Sequence, residues 1–156
     1  MATFGTFTAG SVLTAAELNT VLPACVLSAS AVSCPNTTVV QVTFSTEDYD
    51  PLGWHSTVTN TGRITPNIAG WFLVTAQYGQ MNGAGANFRA IMSVDKNASN
   101  ADHARFDINN YAPDDASVAG LMYLNGTTDY VVVNLYQASG GTKTPDVRFN
   151  CVLVAR

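Results

Sequence analysis

The feature that most constrains this chain is a succession of short runs rich in Val, Thr, Phe and Tyr, separated by clusters of Gly, Pro, Asn, Asp and Ser. Within several runs the apolar residues alternate. Phe72, Val74, Ala76 and Tyr78 share one face of the stretch from Trp71 to Met81, and Leu73, Thr75 and Gln77 share the other. A period of two is that of a pleated strand with one face buried. Similar runs lie at Cys25–Val32, Val39–Phe44, Phe88–Val94, Arg105–Asn109, Val118–Leu124, Tyr130–Gln137 and Val147–Val154. Arg63-Ile64-Thr65-Pro66 leads into the Trp71 run, and Ser45–Trp54 reads as a long loop. The pattern predicts about eight to ten short strands with turn signals every 8–12 residues, hence an all-β sandwich or barrel.

Composition agrees and excludes several alternatives. Charged residues are 12% of the chain against a usual share of about 25%, while hydrophobic residues are 47%. Thr, Asn and Ser together supply 41 of the 156 residues, which favours strands and turns over helices. The length suits one domain. With a net charge of −4 and no basic run, nucleic-acid binding is not expected. No apolar stretch approaches the roughly 18–20 residues of a membrane span, so no membrane insertion is expected. The N-terminus shows no secretory signal pattern, and a reducing compartment during synthesis is the expectation.

Residues 1–23 differ from the rest. Thr14-Ala15-Ala16-Glu17 has the form of a capping box, with Leu13 and Leu18 placed as a hydrophobic staple. Pro23 ends the helix, leaving about two turns that cannot be stable in isolation. Phe4, Phe7, Val12, Leu13 and Leu18 must then pack on something, either the chain's own body or a partner. The expected division is a helical attachment arm at 1–23 and a β domain at 24–156.

Little in the sequence points to chemistry. Cys25, Cys34 and Cys151 fit no zinc spacing and read as core thiols, although Cys25 and Cys34 could be bridged. His55 and His103 are too few for a histidine-rich metal centre, and neither sits beside a nucleophile signature. Glu47, Asp48 and Asp50 form the densest acidic cluster and are weak candidates for calcium, but they lack the spacing of an EF-hand and read as solvated loop charge. Gly83-Ala84-Gly85 precedes a strand rather than a helix, unlike a dinucleotide loop. Trp54, Tyr49 and Tyr111 could stack on sugars or cover loop ends. No catalytic residue and no cofactor is expected.

Two long stretches, 39–81 and 87–138, resemble the tumour-necrosis-factor-like jelly roll, also called the complement globular head, in the form found in bacteriophage structural proteins. The resemblance is carried by Val42-Thr43-Phe44, Asp50-Pro51-Leu52-Gly53-Trp54-His55, Arg63-Ile64-Thr65-Pro66 and Ala69-Gly70-Trp71-Phe72-Leu73-Val74. Asn87–Ile91, Thr128–Val133 and Phe149–Val154 resemble later strands of that family, with Thr128 where a glycine is common. The run from Phe7 to Asn19 resembles the opening of many phage tail and structural proteins.

The resemblance implies an all-β jelly-roll sandwich of about 8–10 antiparallel strands and a homotrimer. It also implies a virion location after assembly in a bacterial cytoplasm, with other virion proteins as partners. Tyr130–Tyr136 and Val152–Val154 are apolar on both strand faces, as expected where both faces are covered. The leading expectation is a non-enzymatic virion protein anchored by its arm, as a tail-associated fibre or receptor-binding head that meets a host surface glycan or protein. A capsid decoration or head-fibre protein is the close alternative, a carbohydrate-binding module a further one, and a glycan hydrolase the least supported.

Overall fold

A computed structural model describes residues 23–81, 88–99, 104–109 and 114–156. The arm with Phe4, Phe7, Val12, Leu13 and Leu18, the capping box, Gly83–Gly85, His103 and Tyr111 lie outside the described residues. Among the described residues there are ten strands and no helix. They are β1 (Ala24–Ala29), β2 (Val40–Gln41), β3 (Thr46–Tyr49), β4 (Arg63–Ile64), β5 (Ala69–Gly79), β6 (Arg89–Lys96), β7 (Ala104–Asn109), β8 (Ala116–Asn125), β9 (Val131–Ala138) and β10 (Asp146–Ala155).

The strands form two antiparallel sheets. The first has the order β3-β1-β10-β5-β8, and the second β2-β9-β6-β7 with β4 also paired to β9. The chain crosses repeatedly between sheets, so neighbours in a sheet are rarely neighbours in sequence, which gives a jelly-roll sandwich. The alternation that marks β5 becomes geometry here. Phe72, Val74, Ala76 and Tyr78 face inward and are 0–1% exposed, against Met92, Val133 and Leu135 from the second sheet. Phe44 stacks on Phe149 at 5.5 Å, and Trp54 meets Phe72 edge to face at 5.5 Å. Burial of each such side chain contributes roughly 1.5–3 kcal/mol, and the aromatic pairs add a fraction more.

Three readings of the sequence need correction. Residues 45–54 are not all loop, because Thr46–Tyr49 forms edge strand β3 against β1, with a register shift between Val26 and Leu27. All four β3 residues are exposed, so burial imposed no alternation to read, and its acidic residues deter edge-to-edge pairing. Trp54 is no surface platform: it is buried, and its indole Nε1 donates to Asn67 Oδ1 at 2.9 Å. The first run ends sooner than expected, at Ala29, with Ala31 in the left-handed region at φ 51°.

Cys25, Cys34 and Cys151 are all buried and free, so Cys25 and Cys34 are not bridged. Cys25 and Cys151 instead face each other across β1 and β10. Burial pushes the Cys34 thiol up to about 11 and the other two higher still, so all three behave as core residues.

Candidate interaction surface

The two sheets present very different outer faces. On the first, the residues of β5 and β8 that point away from the core include Trp71, Leu73, Leu121 and Tyr123, and β10 adds Val154. Register brings them together. Trp71 lies opposite Tyr123 and Leu73 opposite Leu121 across β5 and β8, while Leu73 is also opposite Val152 of β10. The Trp71 and Tyr123 rings meet edge to face at 5.8 Å. These five side chains are 41–60% exposed. Such contiguous apolar surface marks a place where another surface is expected to dock.

The corresponding face of the second sheet carries an internally paired polar cluster, with Ile91, Tyr136 and the exposed Val39 beside it. Arg89 Nε and Nη2 donate to the two Asp107 oxygens at 3.1 and 2.8 Å, and Arg105 Nη2 donates to Asp107 Oδ2 at 3.0 Å. Hydrogen bonding from Arg89, then from Arg105, holds the Asp107 carboxyl down at about 2. Ser93 Oγ and Asn134 Nδ2 both donate to Asp95 Oδ2, at 2.8 and 2.6 Å. The Arg89 guanidinium lies 5.8 Å from the Tyr136 ring centroid.

This arrangement changes the sequence reading of β9. Its two-sided apolar run suggested a strand covered on both faces. Val132, on the outer side, is 0% exposed within the single chain, and Tyr136 is half-buried. The uncovered apolar surface therefore belongs to β5 and β8 rather than β9. Val154, from the other predicted run, does join it. Leu121 and Tyr123 were legible as the odd positions of an alternating strand, but their pairing with Leu73 and Trp71 was not.

The acidic cluster is dispersed among different partners. Glu47 Oε1 sits 2.8 Å from His55 Nδ1, and Ser28 Oγ donates to Asp48 Oδ1 at 3.2 Å. Asp50 is no solvated loop charge, since it accepts the backbone N–H groups of Trp54 and His55 at 2.9 and 2.8 Å. Among the described residues no group of three His, Cys, Asp or Glu side chains is placed to hold a metal ion. His55 is buried, and its Nε2 lies 3.1 Å from the Thr61 carbonyl, so it ties the 55–61 loop to β3.

A second polar knot joins two turns. Asn125 Oδ1 accepts the N–H groups of Thr127, Thr128 and Asp129. Asp129 in turn accepts from Asn97 Nδ2 at 2.8 Å and Asn125 N–H at 3.0 Å, and pairs with Lys96 Nζ at 2.7 Å. Burial alone would raise the Asp129 carboxyl, but these donors outweigh it and hold it below its ordinary value. Gly126 sits at φ 72° with its Cα against the Ile68–Ala69 backbone, where a side chain would clash.

Comparison with solved structures bears out the jelly-roll expectation. The fold is similar to that of PRD1 vertex protein P5, with 14% identity over 84% of this chain and 72% of that chain, at a TM-score of 0.61. It is also similar to the globular domain of zebrafish complement 1qA protein, with 17% identity over 86% and 98% of the two chains and a TM-score of 0.54. Murine APRIL is a third, with 15% identity over 83% and 99% and a TM-score of 0.53. The chain thus has the jelly roll of a viral vertex protein and of tumour-necrosis-factor- and complement-like domains. No family model and no curated protein sequence matches the chain.

Proposed function

We propose that this chain is a non-enzymatic bacteriophage virion structural protein that assembles as a homotrimer through the outer face of its first sheet. The observation that carries this reading is the exposed Trp71–Leu73–Leu121–Tyr123–Val154 surface beside a second sheet whose outer face is internally paired. Likeness to a viral vertex protein supports a place on the particle, and kinship in fold with complement and APRIL domains supports a binding or assembly role over catalysis. In this reading residues 1–23 anchor the trimer to other virion proteins, with Phe4, Phe7, Val12, Leu13 and Leu18 as the contacts.

Two positions on the particle rest on different observations. The run Phe7–Asn19 favours a tail-associated fibre or receptor-binding head, and the vertex-protein likeness favours a capsid decoration or head-fibre protein. Quantitative mass spectrometry of purified particles distinguishes them. A copy number comparable to the major capsid protein identifies decoration, and a small multiple of three, too few to occupy every vertex, identifies the tail. Absence from particles overturns the virion reading. Deletion of residues 1–23 is expected to leave a folded trimer that no longer joins particles.

A further inference from the structure

Strands β2 and β4 share one edge of β9 in succession. β2 pairs with Leu135 and Asn134, Val42 N–H continues to the Val133 carbonyl, and β4 takes over at Val132 and Val131. The handover opens a groove of about 380 Å³ lined by Gln41, Thr43, Val58, Asn60, Thr61, Gly62, Arg63 and Tyr130. Hydrogen bonds hold the part of its wall at residues 60–63. The Thr61 carbonyl accepts from Phe44 N–H at 2.8 Å and faces His55 Nε2, and the Asn60 carbonyl accepts from Arg63 N–H at 3.1 Å. Gln41 Nε2 reaches the Gly62 carbonyl at 3.4 Å, and a Cβ at Gly62 would collide with that amide and with the Val42 carbonyl.

Arg63 is the charged group of this groove. Its guanidinium carbon lies 4.7 Å from the Tyr130 ring centroid, within cation–π range. Among the described residues no carboxylate pairs with it, and its Nε, shielded from solvent, meets no protein acceptor. Arg89 and Lys96, by contrast, are both paired with aspartates. Neither Asp nor Glu lines the groove, although the chain carries a net charge of −4. The remaining polar lining consists of neutral amides and hydroxyls from Gln41, Asn60, Thr43 and Thr61, which both donate and accept.

We infer that this groove binds a saccharide bearing a carboxylate. The planar guanidinium fork matches a carboxylate, and the surrounding amides and hydroxyls match the hydroxyls of the same sugar ring. Tyr130 holds the guanidinium in place, so less rotamer freedom is lost on binding. The groove lies at the second sheet, so assembly through the first leaves it open. The inference goes beyond the structural role proposed above and does not depend on it.

The test uses the full chain, with trigalacturonic acid as probe and galactotriose and inorganic phosphate as controls, followed by NMR titration and calorimetry. The acidic trisaccharide is expected to bind, to shift signals of Thr43, Asn60, Thr61 and Tyr130, and to weaken as salt is raised. Arg63→Gln should weaken binding by at least about tenfold. Thr43→Glu, at an exposed position, places a carboxylate in the groove and should abolish binding without changing the melting temperature. The inference is overturned if trigalacturonic acid does not bind, if either variant binds it like the parent, or if galactotriose or phosphate binds as tightly. Sedimentation of the same samples reports assembly separately. Monomers that bind the saccharide would count against the trimer alone, and trimers that ignore it against the groove alone.

Discussion

The outer faces of the two sheets make an internal control. Both belong to antiparallel strands of one sandwich, and both alternate with the same core. Yet β5, β8 and β10 turn Trp71, Leu73, Leu121, Tyr123 and Val154 outward, while β6, β7 and β9 turn out Arg89, Asp107, Arg105, Ser93 and Asn134. Across β6, β7 and β9 the charges of Arg89, Arg105, Asp107 and Asp95 are met by neighbours within the chain. On the first, apolar area remains in water, and its removal is worth roughly 25 cal/mol per Å². A face that is complete needs no partner, and one that is incomplete favours association. The asymmetry is what supports the proposal that assembly uses the first sheet.

The largest expected effect breaks this asymmetry directly. Leu73→Glu combined with Leu121→Glu places like charges directly opposite each other on the apolar face, at positions already exposed in the single chain. If the proposed trimer forms through this face, analytical ultracentrifugation should show the parent as a trimer and the variant as a monomer at the same concentration, with far-UV circular dichroism unchanged. Ile91→Glu, on the second sheet, should leave the trimer intact. If the two variants behaved alike, the contrast between faces would lose its meaning.

A smaller effect is expected at the turn knot. Asp129→Ala removes the acceptor of Asn97 and Asn125 and the partner of Lys96, and should cost about 2 kcal/mol in urea denaturation. Because the folded carboxyl titrates below its ordinary value of 3.8, its contribution is complete above that pH and is lost as pH falls through the lower folded value. The parent should therefore lose stability below about pH 4, and the variant should lose less over the same window.

The smallest effect is expected on the second sheet's surface. Asp107→Asn weakens a pair whose side chains are 29–39% exposed, so water and salt already screen it. Its melting temperature should stay within about 2 °C of the parent, and the difference should vanish in 1 M salt. A drop as large as that of Asp129→Ala would mean that the second face is held together more tightly than its exposure implies.

What the sequence determined by itself was local. A period of two in Phe72, Val74, Ala76 and Tyr78 identifies a strand and its inward face, because adjacent residues of a pleated strand must point to opposite sides. Turn clusters marked where strands stop, and the low charge marked a chain with apolar surface to spare. Thr46–Tyr49 escaped because an exposed edge strand has no buried face to impose a period. The tertiary structure decided everything that depends on register between distant segments. It brought Leu73 opposite Leu121 and Trp71 opposite Tyr123, buried Val132 and Trp54, gave Asp50 to two backbone amides, and laid Arg63 over Tyr130. Apart from the local turn at Asp50, these contacts join residues far apart in the chain, and no local pattern encodes which strand lies beside which. That choice is made by the packing of the whole sandwich.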